Sequence, residues 1–331
     1  MNVNDERKWI LLKSIEGNFM NSYANTVCIF MSTYNGEKYL TEQIDSILNQ
    51  ENVRVYLCIR DDGSSDNTVN IIKKYMCENS NIFLEEGENI GFQYSFANIS
   101  RQNINADYFA FSDQDDVWKL DRLSRAIKFI EGKNKCALYG SNMYIADSNL
   151  KNIHSLYTEC QTRQISNAMK KYGIFGENMY ACTMVWNKKM QDVLCRYSPK
   201  AKVSQDVWTQ LIAEIVDASI VYDNKETITH RLHESNTAGI AKDRISRIQK
   251  GIKIYLRSGI STKNEMVREA QNAYVSLQKV DDSEKYKTRQ LVCNYSQNLA
   301  SKLKLLNSGF LKEKEFERKI FILLLILGNK Y

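Results

Sequence analysis

Apolar and polar positions along the first 130 residues follow two rhythms, and the regular exchange between them predicts the architecture. Val27-Cys28-Ile29-Phe30-Met31 is a short unbroken apolar run, closed by the polar turn Ser32-Thr33-Tyr34-Asn35-Gly36. Leu40, Ile44, Ile47 and Leu48 then recur at helical spacing. Val53, Val55, Leu57 and Ile59 alternate as a second strand that ends at Asp61-Asp62-Gly63-Ser64-Ser65-Asp66, and Val69, Ile72 and Met76 form the next helical stripe. A third strand, Ile82–Leu84, leads through Asn89-Ile90-Gly91-Phe92 into another helix. A fourth, the aromatic Asp107-Tyr108-Phe109-Ala110-Phe111, ends on Ser112-Asp113-Gln114-Asp115-Asp116-Val117-Trp118. Strand and helix in alternation predict a parallel sheet with crossover helices. Three of these strands finish in polar or acidic turns at their C-terminal ends, the edge at which open α/β sheets bind ligands.

The last of those turns carries the most chemistry. Three carboxylates crowded behind a buried strand repel one another unless a cation neutralises them, which points to a divalent metal. Oxygen-only ligands favour Mg²⁺ or Mn²⁺ over zinc. A solvated acidic loop capping the next helix is the competing reading of the same residues. The other turns suit a nucleotide. Tyr34 can stack on a base, Ser32 or Thr33 can bond to it, and Asp61 or Asp62 can accept from a base N–H or a ribose hydroxyl. No G-x-G-x-x-G or G-x-x-x-x-G-K-[ST] loop follows the first strand, so a bound diphosphate needs the metal for neutralisation.

Composition adds boundaries. At 331 residues the chain has room for one large α/β domain and an appendage. Eight cysteines without a C-x-x-C pair, several within apolar runs, suggest a reducing compartment rather than a disulfide framework. Residues 1–21 are charged throughout and read as no signal peptide, and no stretch reaches the roughly 18 apolar residues of a membrane span. The net charge of +6 hides an asymmetry: residues 1–240 hold 26 Lys/Arg against 30 Asp/Glu, residues 241–331 hold 19 against 9. The basic end closes on Ile320-Phe321-Ile322-Leu323-Leu324-Leu325-Ile326-Leu327, which with Arg318, Lys319 and Lys330 can lie in a membrane interface or pack as a helix. Nucleic acid finds no support, since the basic region has neither clustered aromatics nor a recognised motif. The expected organisation is an N-terminal helical extension over 1–24, with a short amphipathic helix in Arg7–Phe19, a catalytic domain over 25–238, and a basic helical region over 239–331.

The text Ser32-Thr33-Tyr34-Asn35-Gly36-Glu37-Lys38-Tyr39-Leu40, Asp61-Asp62-Gly63-Ser64-Ser65-Asp66-Asn67-Thr68 and Asp113-Gln114-Asp115-Asp116-Val117-Trp118 resembles family-two, GT-A-type glycosyltransferases. The Asp-Gln-Asp-Asp form followed by Val-Trp is similar to the rhamnosyltransferase-like branch of bacterial surface-polysaccharide synthesis. The likeness covers roughly residues 25–236. It implies a GT-A α/β fold with a mostly parallel central sheet, and an inverting, metal-dependent transfer from a nucleotide diphosphate sugar such as dTDP-rhamnose or a UDP-sugar. The acceptor it implies is a saccharide, free or on a polyprenyl diphosphate, at the inner face of the cell membrane. By the same resemblance Tyr34 and Asp61 or Asp62 hold the base, Asp113 binds ribose or metal, Asp115 is the direct metal ligand, and Asp116 caps a helix or faces the acceptor.

Further residues follow for the second half. An inverting displacement needs a carboxylate to take the acceptor proton and positive charge at the departing diphosphate. Ser204-Gln205-Asp206-Val207-Trp208 resembles the acidic motif that opens a helix in this family, which makes Asp206 the expected general base, with Trp208 near the acceptor; Gln205 stands where many relatives carry Glu or His. In His230-Arg231-Leu232-His233, the resemblance implies Arg231 at the diphosphate and His233 at metal or phosphate, while His230 and His154 are read as structural or exposed. Gly176–Thr183 resembles the acceptor-side segment, with Cys182 and Thr183 as its candidates. A metal-dependent nucleotidyltransferase and a non-catalytic nucleotide-sugar-binding scaffold are the rival classes.

Overall fold

The computed structural model describes residues 25–102, 104–197, 199–200, 203–234, 263–278, 280–312, 314, 316–329 and 331. The expected N-terminal extension over 1–24 and the expected boundary at 238/239 lie outside the described residues.

Four strands alternate with helices as the hydrophobic pattern requires: β1 (Thr26–Thr33), α1 (Leu40–Leu48), β2 (Arg54–Asp61), α2 (Thr68–Glu78), β3 (Ile82–Glu86), α3 (Phe92–Ile99) and β4 (Tyr108–Ser112). They pair in parallel in the order β3-β2-β1-β4. β1 is flanked by strands on both sides, and Val27 through Met31 are fully buried, which is why it reads as a continuous apolar run. On α1 the residues Leu40, Ile44 and Ile47 share the buried face. Trp186 closes the core beneath β1 and β4, with ring centroids 6.3 Å from Phe30, 6.3 Å from Phe109 and 4.6 Å from Phe111.

Beyond β4 the pairing turns antiparallel, a half of the sheet that the parallel expectation did not include. The elements are β5 (Val117–Trp118), α4 (Arg122–Ile130), β6 (Ala137–Asp147), β7 (His154–Ser155), α5 (Glu159–Tyr172), β8 (Val185–Asn187), α6 (Lys188–Leu194), α7 (Gln205–Ile215) and β9 (Ser219–Leu232). The sheet continues β4-β8-β6-β9-β5, with β7 beside β6. The reversal has a simple cause: β8 is only three residues long and enters from the opposite end, so it pairs head-to-tail with β4.

The chain packs as two compact units. The first gathers the described residues of 1–157, 179–198 and 218–231 and holds the sheet; the second gathers those of 158–178, 199–217 and 232–331 and is helical. The second unit contains α5, α7 and then α8 (Lys263–Ala273), α9 (Glu284–Asn294), α10 (Leu299–Leu306), α11 (Gly309–Lys312) and α12 (Phe316–Leu327). Thr158 and Gln161 form a reciprocal capping box on α5, Ser283 caps α9 and Asn298 caps α10. Phe175, Phe310 and Tyr331 meet in its core, with Phe310 tilted against Phe175 at 6.1 Å and stacked on Tyr331 at 6.3 Å.

Glu214 on α7 is buried, receives a bond from Gln210, and has Arg289 nearby as a compensating charge; burial pushes its pKa up to about 7. Gly173 (φ +60°) is required beside it, because a Cβ there would overlap the Glu214 carboxylate. On α12 the residues Ile322 and Ile326 turn inward, whereas Ile320, Leu323, Leu324 and Leu327 are exposed, as are Leu299 and Leu303 of α10. Lys302 of α10 donates to the Leu327 carbonyl at 3.2 Å. No helix among the described residues is long and apolar enough to cross a membrane.

Candidate active site

Register brings the three polar turns to one edge of the sheet. Thr33 pairs with Asp61, Met31 with Ser112 and Asp61 with Glu86, so the C-terminal ends of β1, β2, β3 and β4 are level. Side chains then stitch the turns together. The Gln114 amide accepts from the Tyr34 N–H at 2.9 Å and donates to the Tyr34 carbonyl at 3.1 Å. Tyr34 projects from this edge, 48% exposed. Ser32 bonds Ser95 at 2.6 Å.

Asp61 and Asp62 both lie at this edge with their carboxylates turned inward. Asp61 accepts from Thr33 Oγ1 (2.9 Å), the Ser64 N–H (2.8 Å) and Ser64 Oγ (2.6 Å), which closes the turn after β2. Asp62 pairs with buried Arg60 at 2.5 Å and accepts from the Ile90 and Gly91 N–H groups at 3.0 and 2.9 Å, fixing the loop after β3. Gly63 (φ +80°) sits between that loop and the turn, where a Cβ would lie 3.1 Å from the Asn89 nitrogen.

Among the described residues, two acids of this turn join a cluster of possible metal-ligand atoms. Asp113, Asp116, Cys182 and His230 each present one, all within 4.8 Å of one another. Asp116 is fully buried; one of its oxygens lies 2.8 Å from His230 Nδ1, and the other, Oδ2, has no hydrogen-bond partner among the described residues. Burial opposes a charged His230, but Asp116, followed by Asp113 and Asp115, outweighs it and lifts the imidazole pKa to about 9. Burial raises the Cys182 thiol well above its ordinary range, and Asp113 and Asp116 push the same way. A buried carboxylate oxygen without a partner, ringed by further anionic and neutral donors, fits a divalent cation.

Pairing explains why His230 belongs to this cluster. β5 and β9 run antiparallel with Val117 opposite Thr229, and this register sets His230 beside Asp116. The sequence reading gave His230 no role at the site, and its proximity becomes visible only once that register is known. Asp115 and His233, expected as ligands, stand outside the four-residue group: Asp115 is buried beside it in the first unit, and His233 follows β9 in the second unit. His154 is exposed, its Nδ1 3.0 Å from the Asn152 carbonyl.

Arg231, expected at a diphosphate, turns to protein acceptors. Its Nε donates to the Asp115 carbonyl at 3.0 Å, its Nη1 to the Ser148 carbonyl at 2.9 Å, and its Nη2 to the Glu42 carboxylate, with the guanidinium 4.4 Å above the Tyr39 ring. It therefore fixes the acidic turn from behind. Arg122, fully buried and 4.0 Å from the Trp118 ring, donates to the Cys182 carbonyl at 2.6 Å. That bond holds the 3₁₀ turn Ala181–Thr183, in which Cys182 and Thr183 are both buried.

In the second unit Asp206 lies in the first turn of α7, as the resemblance implied, and Trp208 is buried one residue further on from Val207. Asp206 Oδ1 accepts from the Val207 N–H at 2.8 Å and Oδ2 from Asn178 at 3.5 Å. Burial raises its pKa above the usual carboxylate value, with Ser204 and Val207 pulling the other way. A carboxylate made more basic in this manner suits proton abstraction near neutral pH.

The sequence profile described as "Glycosyl transferase family 2" matches residues 28–194, half of the chain. The chain belongs to glycosyl transferase family 2. This family-2 enzyme is 28% identical over 227 residues to a dTDP-rhamnosyl transferase, RfbG, of Shigella flexneri, a match covering 63% of this chain and 73% of that protein. It is 28% identical over 114 residues to a putative teichuronic acid biosynthesis glycosyltransferase, TuaG, of Bacillus subtilis, covering 34% of this chain and 44% of the relative. Among solved structures, S. aureus TarS 1–349 in complex with UDP-GlcNAc superposes with a TM-score of 0.56 at 16% identity, over 92% of this chain and 80% of the other. The mannosyltransferase PcManGT of Pyrobaculum calidifontis, in complex with GDP-Man and Mn²⁺, gives 0.53 at 12% identity over 98% and 86%. These likenesses establish the GT-A fold, mixed α/β with a helical C-terminal region, and the glycosyltransferase identity rests on the family match.

Proposed function

We propose that this glycosyltransferase is inverting and metal-dependent, and that it moves a sugar, with rhamnose the leading candidate, from a nucleotide diphosphate to a saccharide or lipid-linked acceptor during cell-surface polysaccharide synthesis. The observation that carries the reading is the meeting of the Tyr34, Asp61–Asp62 and Asp113–Asp116 turns at one sheet edge, with an unpartnered Asp116 oxygen among the acids. The rhamnosyl relative and the UDP-GlcNAc and GDP-Man neighbours support a nucleotide-sugar donor.

In this reading Tyr34 stacks on the base, Ser32 and Thr33 line its approach, and the backbone framed by Asp61 and Asp62 shapes the base and ribose subsite. The turn bearing Asp113 and Asp115 faces the diphosphate. A divalent ion bound there, Mg²⁺ or Mn²⁺, supplies positive charge to the departing diphosphate. Arg231 holds that turn in place. Asp206 takes the proton from the acceptor hydroxyl as its oxygen attacks the anomeric carbon and the bond to the diphosphate oxygen breaks, which inverts the configuration. Cys182, Thr183 and Trp208 belong to the acceptor side of the chain in this scheme, and His233 is the candidate phosphate contact beyond β9.

The proposed organisation is a transferase domain over 25–238 followed by a basic helical region over 239–331. The exposed leucines of α10 and α12, interspersed with Lys302, Lys304 and Lys319, support peripheral contact with an anionic membrane at its cytoplasmic face.

The test is release of nucleotide diphosphate from a panel of dTDP-, UDP- and GDP-sugars with Mn²⁺, with and without acceptor glycans. Acceptor-dependent release that disappears in Asp206→Asn, with nucleotide binding retained, is the expected result. Release of nucleoside monophosphate would place the enzyme among the phosphohydrolases or nucleotidyltransferases instead. A fully active Asp206→Asn would remove the assigned base.

A further inference from the structure

We infer that Gln210 and Glu214 are positioning residues for the transfer: with Asp206 they form a polar file along one face of α7 that holds the segment 173–178 beside the assigned base. The inference rests on the proposed function for the role of Asp206.

Asp206, Gln210 and Glu214 are spaced four residues apart on α7, so successive turns set them on the same face. Gln210 is 1% exposed and Glu214 6%. What this face meets is one stretch of chain. The Ile174 N–H bonds the Glu214 carboxylate, Gln210 Nε2 donates to the Glu177 carbonyl at 3.2 Å, and Asn178 donates to Asp206 Oδ2 at 3.5 Å. Helix and segment therefore run in opposite directions, with 206, 210 and 214 engaging 178, 177 and 174 in turn. Gly173 begins the segment because only a residue without a Cβ leaves room for the Glu214 carboxylate.

Counting donors fixes the polarity of the file. Both Nε2 protons of Gln210 are committed, one to Glu177 and one to Glu214 Oε1 at 3.1 Å. An ionised Glu214 only accepts, and it meets two donors, the Gln210 amide and the Ile174 N–H. A neutral group at 214 brings a donor of its own. To pair with it, the Gln210 amide must turn its oxygen inward, which takes its N–H away from Glu177. The anion is the form that keeps the segment in place.

That anion is held at a cost. Burial lifts its pKa to about 7, and the charges that pull it back are Arg289 and Lys285 of α9. α8 also packs on α7, but its buried residues, Asn264, Met266, Val267 and Ala270, do not titrate. Glutamine has nearly the same shape and avoids the cost, so a carboxylate here points to a task other than stability.

Glu214→Gln is the test, because it should steady the protein and slow it. At pH 8 the full-length variant should match or exceed the wild-type melting temperature, while amide hydrogen exchange over residues 174–178 speeds up about fivefold or more. With dTDP-rhamnose, or whichever UDP- or GDP-sugar the donor panel shows to turn over, kcat should fall about tenfold and the donor KM should hold within about twofold. The wild-type to variant ratio in kcat should shrink towards one between pH 8 and pH 5, since wild-type Glu214 becomes neutral as pH falls through about 7. Gln210→Met breaks the same bridge from its other side and should bring a similar loss of kcat, with the double variant no slower than either single one. Unchanged kcat in Glu214→Gln, a ratio that stays constant with pH, or a loss of kcat that comes with a lowered melting temperature overturns the inference and leaves the proposed function intact. So does unaltered exchange over 174–178. Failure of the wild type on every sugar nucleotide sinks the proposed function, and with it the role given to the file.

Discussion

Replacing Asp62 by alanine separates a structural lock from a ligand contact. The carboxylate is paired with Arg60 at 2.5 Å, with side-chain exposures of 3% and 4%, and it also accepts from two backbone N–H groups. Breaking a buried pair by removing one partner costs about 3–5 kcal/mol. Glu85 remains 3.5 Å from Arg60 Nε and eases the guanidinium's loss, which favours the lower half of that range. The orphaned Ile90 and Gly91 N–H groups add to it, at about 1 kcal/mol or more each if water does not reach them. The expected total is about 5 kcal/mol, a fall in melting temperature of about 10–20 °C. Urea and thermal unfolding, followed by tryptophan fluorescence, measure it. Combining Asp62→Ala with Arg60→Met should cost less than the sum of the two, by about 2 kcal/mol. If Asp62→Ala loses under about 1 kcal/mol while nucleotide affinity collapses, the carboxylate serves the ligand and the reasoning is refuted.

Three further outcomes are expected. Arg231→Leu leaves the Asp115 and Ser148 carbonyls without their donors and should lower kcat/KM at least about tenfold, with Arg231→Lys recovering little because an ammonium cannot reproduce the fork; steady-state kinetics on both variants decide it. Glu214 has a folded pKa of about 7 against an ordinary 4.5, so the folded state binds its proton more tightly and stability drains away as pH rises from about 4.5 to 7; Glu214→Gln should therefore gain up to about 3 kcal/mol at pH 8 and nothing below pH 4, read from urea curves across pH. Leu323→Ser with Leu324→Ser should reduce co-sedimentation with anionic vesicles severalfold without changing the melting temperature, since both side chains face solvent; unchanged sedimentation would contradict the membrane role.

The parallel half of the fold was legible because β1 and β4 are buried on both faces and read as apolar runs, while β2 and β3 alternate, each strand being separated from the next by a helical segment. Tyr34, Asp61, Asp62 and Asp113 could be brought to one edge by that logic alone. The antiparallel half was not legible. β5 and β8 are two and three residues long, too short for any periodicity to register. His230 illustrates the consequence. Counting along β9 correctly sets it on the face opposite Arg231, but only the pairing of Val117 with Thr229 shows that this face meets Asp116. Cys182 reaches the same cluster through a turn whose position depends on a bond from Arg122, sixty residues away in the chain. The two compact units also interleave along the sequence, with 158–178 and 199–217 grouped with the C-terminal helices. A composition shift near residue 239 marks where basic text begins and carries no information about such exchanges.

Gln114 has an implication of its own. Its amide meets the main chain of Tyr34 in both directions, donor to acceptor and acceptor to donor, as a neighbouring strand would. Asparagine is a methylene too short for the same reach, and glutamate would set a carboxylate against a carbonyl. The main chain of Tyr34 and the acid-bearing loop are thus tied to each other, so in the proposed nucleotide-sugar complex a displacement of one is passed to the other.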